Sequence, residues 1–269
     1  MAQPPARALL GFDMETDIGS WTPFYEGVKR GTPRLLELLD RRRAEATFYF
    51  TGHAAKAHPE VVRTVRAAGH EVGCHSLFHE TVGDELFPVP SSNRILPEEV
   101  PFRLETATRL VQEAAGERVV SFRCPRLFGS TAVVNALEAL GYRTDASYPL
   151  YYYRKRLAPY HPSREDWTQE GESRLLEIPN FADPSMKSAD LLGRDRDQWP
   201  KYRTEGAASL LAAVDSFMDF TAARGVPTVL CAFTCTRGSS WRCPRGSSTS
   251  GKDRCCRIHS SSKAAVKWR

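Results

Sequence analysis

The stretch Thr47–His79, "TFYFTGHAAKAHPEVVRTVRAAGHEVGCHSLFH", holds the fold in miniature. Its β-branched and aromatic opening, closed by Gly52, reads as a buried strand. "HPEVVRTVRAAG" reads as a helix ended by Gly69, where glycine takes the turn after the last helical residue. "HEVGCHS" then returns to strand. The same alternation runs outward on both sides. Before it, "RALLGFDMETD" is a short apolar strand running into three acids. "GVKRGTPRLLELLDRRRA" is a helix, with Leu35, Leu36, Leu38 and Leu39 at helical spacing and Pro33 near its first turn. After it come the helix "PEEVPFRLETATRLVQEAAG", the strand "VVSFRCP", the helix "STAVVNALEALG" and the strand "YRTDASY". A loop-like aromatic and basic segment from Pro149 to Trp167 leads to the strand "SRLLEIPN", the amphipathic helix "TEGAASLLAAVDSFMDFTAARG" and the strand "VPTVLCAF". Repeated strand–helix units predict an α/β fold with a mainly parallel sheet in one domain, residues 1–233. A (β/α) barrel is favoured over an open sheet, because the chemically interesting polar residues follow strand C-terminal ends, the usual catalytic rim.

Composition excludes several classes. The 269 residues are 41% hydrophobic, enough for one large domain. No apolar run approaches the ~18 residues of a membrane span. The N-terminal "MAQPPARALLGFDMETD" has only "ALL" as an apolar core, too short for a signal peptide, so a cytoplasmic protein is expected. Cys74, Cys124 and Cys231 are the only cysteines before Phe233, which fits reduced, buried thiols. The net charge of +5 misleads: residues 234–269 hold nine Lys and Arg against one acid, while the remainder is slightly acidic. Without a basic stripe on the body, neither nucleic acid nor membrane is an expected partner.

Three clusters carry chemistry. "FDMETD" places Asp13, Glu15 and Asp17 on one face if the strand continues through them. "HSLFH" sets His75 and His79 four apart; on a helical turn both imidazoles would face one side, as a metal requires. Two histidines and a carboxylate from another strand would form a facial triad with open positions. "FRCP" puts Arg123 at a strand end, where an arginine beside a catalytic carboxylate would hold it ionised.

In this order and spacing the chain resembles the polysaccharide deacetylase family, metal-dependent amidohydrolases on a distorted (β/α) barrel. "GFDMETD", the Thr47–His79 stretch and "FRCP" carry the resemblance, which covers about Leu9 to Phe233. It implies Asp13 as catalytic base, Arg123 as its tether, and His75 and His79 as metal ligands. Glu15 is implied as the third ligand, with Asp17 as the alternative. Asp145, in "TDASY", is implied as a further catalytic group, and Pro125 and Glu177 as substrate-binding residues. The implied cofactor is a divalent metal, zinc first. The implied substrate is a small-molecule or oligosaccharide amide: an N-acyl amino sugar, or in an allantoinase-like branch a cyclic amide. A non-catalytic binding protein on the same barrel is the reading from another class.

The resemblance also implies a histidine after "VPTVLCAF" that protonates the leaving amine. Thr234, Cys235 and Thr236 stand there instead, followed by a Ser/Arg/Cys-rich tail. Three readings of 234–269 stand open: a zinc module of Cys235, Cys243, Cys255, Cys256 and His259; a disordered basic tail; or a shift of reading frame. Shifted by one base, codons for "FTCTRGSS" can spell Phe-His-Leu-His-Pro-Trp-Glu-Phe, which restores the histidine. Under that reading the last strand and helix region of the barrel is missing, metal binding persists and turnover is weak. The gene's nucleotide sequence checks this: after the codon for Phe233, the bases are expected to spell the His-Pro-Trp string one frame over.

Overall fold

Residues 6–17, 22–89, 94–198, 201 and 206–235 are described in a computed structural model of the chain. Seven strands run in sequence: β1 (Arg7–Met14), β2 (Thr47–Phe50), β3 (Glu71–Cys74), β4 (Ser121–Phe122), β5 (Thr144–Asp145), β6 (Leu176–Glu177) and β7 (Val229–Cys235). They hydrogen-bond in the order β6-β5-β4-β3-β2-β1-β7, every pair parallel. Helices fill the connections: α1 (Thr32–Arg42), α2 (Gly52–Ala57), α3 (Pro59–Ala67), α4 (Val100–Ala115), α5 (Thr131–Ala139), the single turn α6 (Leu150–Tyr153) and α7 (Gly206–Ala222). The alternation legible in the sequence is thus the observed order, and the α/β class and parallel sheet follow from it.

The sheet curls into a partial barrel. β1, the longest strand, pairs along its length with β7 on one side and with β2 on the other. The two sheet edges approach at one point, where Asn180, just past β6, bridges Cys231 of β7. Gln198 Nε2 donates to the carbonyls of Cys231 (3.0 Å) and Phe181 (3.3 Å) across that junction. The expected strand β7 is formed and its outer edge meets Asn180, while the expectation that a last strand and helix region is missing falls on residues outside those described. The last two residues of β7, Thr234 and Cys235, are the first two of the expected tail. The rest of that tail, 236–269, with Cys243, Cys255, Cys256 and His259, lies outside the described residues.

Period-two alternation divides the strands between two environments. Leu104, Val111, Val133, Leu137, Phe48, Phe50, Cys74 and Phe122 belong to one buried apolar cluster between sheet and helices. On the opposite, luminal face lie Tyr49, Ala146 and Cys231, which form a small cluster of their own. Through them passes the Arg123 side chain, 1% exposed, with its guanidinium 4.3 Å from the Tyr49 ring centroid.

Gly11 of β1 faces the same lumen and has no room for a side chain. A Cβ there would stand 2.3 Å from Arg123 Nη1 and 2.9 Å from its Cζ. Gly11→Ala is therefore expected to destabilise the fold by about 1–3 kcal/mol, the range for overpacking a core. Urea denaturation of the two proteins checks it.

Candidate active site and metal centre

The C-terminal ends of β1, β3 and β4 bring the candidate residues together. Glu15 follows β1 and His75 follows β3, and both are almost fully buried. His79 joins them, so that one ligand atom from each of Glu15, His75 and His79 lies within 4.8 Å of the others. His79 Nε2 is 2.6 Å and His75 Nε2 3.7 Å from Glu15 Oε2. This is the only such cluster of metal-ligating side chains among the described residues.

The chemistry of this donor set fits a divalent metal. His75 Nδ1–H donates to the Arg123 carbonyl at 2.7 Å, which fixes the tautomer and leaves Nε2 as the lone-pair nitrogen. That Nε2 is buried and has no hydrogen-bond partner among the described residues. Burial pushes the His75 pKa down, against the pull of Asp13, so the ring stays neutral, as a ligand must.

Asp17, the alternative third ligand, is used elsewhere. β1 ends at Met14 and the chain turns, so 13, 15 and 17 do not continue as one strand face. The Asp17 carboxylate instead accepts the backbone N–H groups of Gly27 (2.7 Å) and Glu26 (3.1 Å), at the π-helical turn Gly27–Gly31 that leads into α1.

Asp13 stands beside the cluster, with Oδ2 4.0 Å from His75 Nε2. Its Oδ1 accepts from Arg123 Nη1 at 3.0 Å. Arg123 also donates from Nε to the Ala146 carbonyl (3.2 Å) and from Nη2 to Cys231 Sγ (3.5 Å). Burial works to discharge the guanidinium, but Asp13 overrides it and holds the Arg123 pKa above its ordinary value. A buried cation thus fixes one oxygen of the carboxylate.

The His75–His79 segment is a run of bends rather than the helical turn that the spacing suggested, with Ser76 (φ 64°) and His79 (φ 65°) left-handed. Glu80 holds it: its carboxylate accepts from Phe78 N (2.6 Å), Ser76 Oγ (3.1 Å) and Leu77 N (3.3 Å). Arg126 Nη1 donates to the His79 carbonyl at 3.0 Å. Sequence reasoning missed both residues. The available signal for Glu80 was an acid directly after the second histidine of "HSLFHE". Pro125 is buried and opens the short turn Pro125–Leu127 that carries Arg126, at φ 57°.

Asp145 and Glu177 do not join this cluster. Register pairs Cys74 with Phe122, Phe122 with Asp145, and Asp145 with Glu177, so both acids lie on the helix-facing side of the sheet. Both are 0% exposed. Asp145 Oδ1 accepts from the Ser147 hydroxyl, and Glu177 Oε1 accepts from Ser147 N (3.0 Å) and Tyr148 N (2.7 Å). Asp145 Oδ2 and Glu177 Oε2 find no hydrogen-bond partner among the described residues, although register sets the two acids side by side on neighbouring strands. Burial is the main cause that lifts Asp145 from its ordinary 3.8 to about 7 and raises Glu177 well above its ordinary value.

A parallel (β/α) partial barrel with a carboxylate–histidine cluster on its C-terminal rim defines the class. The chain belongs to the polysaccharide deacetylase family, whose profile matches residues 8–144. Among characterised relatives, a peptidoglycan-N-acetylglucosamine deacetylase of Bacillus cereus is 27% identical over 172 residues, covering 62% of this chain and 69% of the relative. The peptidoglycan-N-acetylmuramic acid deacetylase PdaA of Bacillus subtilis is 28% identical over 123 residues, covering 45% of this chain and 43% of the relative. The structure of a polysaccharide deacetylase from Mycobacterium smegmatis superposes with a TM-score of 0.59 at 20% identity, over 86% of this chain and 78% of the other. An allantoinase superposes with a TM-score of 0.58 at 18% identity, over 88% and 80%. These two likenesses are of fold.

The acid pair has a pH signature. The folded chain keeps a proton that unfolded Asp145 releases near pH 3.8, so the stability it contributes is full below pH 3.8 and is lost as pH rises to about 7. Asp145→Asn, whose amide can donate to Glu177, is expected to remove this loss. Its stability relative to wild type should rise between about pH 4 and 7 in denaturant titrations.

Proposed function

We propose that the protein is a divalent-metal-dependent hydrolase that removes the acetyl group from an N-acetylated amino sugar. The observation that carries the reading is the buried Glu15–His75–His79 cluster with Asp13 beside it, tethered to Arg123. Glu15, His75 and His79 would hold the ion; two imidazoles and a carboxylate suit zinc first and other divalent ions as well. What the ion supplies when bound is Lewis acidity toward a carbonyl and toward water.

The chain's own residues do the rest. Asp13 Oδ2, on the cluster side of the carboxylate, is the atom that accepts the proton of the water attacking the acyl carbon. Arg123 keeps that carboxylate aimed, since its other oxygen is bound at 3.0 Å. His75 stays neutral and oriented through its bond to the Arg123 carbonyl. The C–N bond then breaks and the amine leaves with a proton returned by Asp13 or taken from solvent water. The histidine expected to give that proton is absent from the sequence directly after Phe233, so turnover by this chain is proposed to be weak. Amino sugars are favoured over cyclic amides because both curated relatives are named for amino-sugar deacetylation, while the likeness to the allantoinase is one of fold.

Two variants separate the roles. His75→Ala is expected to lose the bound ion, read as metal stoichiometry by mass spectrometry. Asp13→Asn is expected to keep the ion and lose about 10²–10⁴-fold in acetate release from N-acetylglucosamine oligomers. An Asp13→Asn protein with undiminished acetate release would remove Asp13 from the reaction.

A further inference from the structure

The lumen has a second mouth at the N-terminal ends of the strands, opposite the metal-ligating cluster. Thr47, Glu71, Ser121 and Thr144 are the first residues of β2, β3, β4 and β5, and all four line a cavity of about 210 Å³. Tyr49 and Arg123, each two residues further along its strand, line it one layer deeper. Leu9, 42% exposed, and Ile178 add apolar wall.

The hydrogen bonds of this mouth run one way. Thr144 Oγ1 donates to Ser121 Oγ (2.9 Å), and Ser121 Oγ donates to Glu71 Oε1 (2.5 Å). From the other side Thr47 Oγ1 donates to Glu71 Oε2 (2.6 Å). A hydroxyl has one proton to give and a carboxylate has none, so each proton of the chain is already spent and ends on Glu71. What these four residues have left is lone pairs: their side chains can accept but not donate. Glu71 is the only acid lining the cavity among the described residues. The Arg123 charge is answered by Asp13 at 3.0 Å, and Asp13 does not line the cavity. Tyr49, 6% exposed, makes no hydrogen bond through its hydroxyl among the described residues. Buried hydroxyls are nearly always satisfied, by protein, water or ligand.

A rim of acceptors around one carboxylate repels anions and offers little to a neutral group with a single donor. It matches a primary ammonium, which is a compact positive charge with three donors and no acceptor. The volume lies below the roughly 300–1,000 Å³ of drug-sized sites, so the body behind the ammonium is a short chain, and Leu9 and Ile178 suit its methylenes. We propose that the N-terminal mouth of the lumen is a binding site for a small primary ammonium ion, with Glu71 as its charge partner and Thr47, Thr144 and Tyr49 as further acceptors. The site stands apart from Glu15, His75 and His79 and does not depend on the deacetylase reading, because its residues lie at the opposite ends of the strands.

The test uses n-butylammonium, n-butanol and butyrate, which share a short carbon chain and differ in the head group. The chain has four isoleucines, so in the metal-loaded protein with carbon-13-labelled isoleucine methyls the Ile178 signal, assigned with Ile178→Val, reports on the cavity itself. Butylammonium is expected to shift that signal in a saturable way, while butanol and butyrate leave it in place. Glu71→Gln is expected to weaken butylammonium binding about 10- to 100-fold, the effect of losing a charged hydrogen bond. Tyr49→Phe, which keeps the ring beside Arg123, is expected to weaken it about 3- to 10-fold. Metal content equal to wild type shows that the variants fold; if Glu71→Gln fails that check, Tyr49→Phe and the three wild-type titrations decide. An Ile178 signal that millimolar butylammonium does not move, or that butanol moves equally, overturns the site. So does butyrate binding in place of butylammonium, which would make Arg123 the recognising group, or undiminished affinity in folded Glu71→Gln.

Discussion

The Arg123 guanidinium is the constraint on which the rest of this barrel depends. It is a fully buried cation, and a buried charge is tolerated only when paired and hydrogen-bonded on every side. The chain meets that demand from four other strands or their extensions: Asp13 of β1, the Tyr49 ring of β2, the Ala146 carbonyl after β5 and Cys231 of β7. The side chain therefore ties the lumen together across its width. Its backbone carbonyl, meanwhile, sets the tautomer of His75. One residue thus couples closure of the barrel to the protonation state of a candidate ligand and the position of the candidate base.

That coupling explains which neighbours are small. Arg123 and Tyr49 pack closely in the lumen because Gly11 and Gly73 leave them space: a Cβ on Gly73 would stand 2.5 Å from the Tyr49 ring. The candidate site accordingly lies at the rim, where strands end and the backbone is released from the ladder. There Asp17 caps one turn, and Glu80 staples another that left-handed Ser76 and His79 sharpen, so loop residues hold the histidines where no helix does. Strain of this kind persists where surrounding bonds over-determine it.

The paired acids Asp145 and Glu177 occupy the other side of the same sheet. They are as deeply buried as Arg123, yet their hydrogen bonds come from Ser147 and the backbone of Tyr148 rather than from a cation. Two buried carboxylates thus find different surroundings: Asp13 is tethered to a guanidinium, while desolvation lifts the Asp145 pKa to about 7. Environment, not residue type, sets the difference.

Much of this was legible in one dimension. Period-3.6 and period-2 runs with glycine stops determine the order of strands and helices, and "FDMETD", "HSLFH" and "FRCP" fall at strand ends whatever the register. The sequence by itself therefore determined the α/β class, the parallel sheet and the residues gathered on the rim. It did not determine which acid joins the histidines, because that depends on β1 ending at Met14 and the chain turning before Asp17. Nor did it separate Asp145 from Asp13, since each stands at the end of a strand. Only strand register decided that: Phe122 pairs with Asp145, which puts Arg123 level with Ala146 and sends the acid to the helix side. A strand's faces alternate with every residue, so a one-residue difference in register exchanges lumen for core, and register exists only once the strands have met.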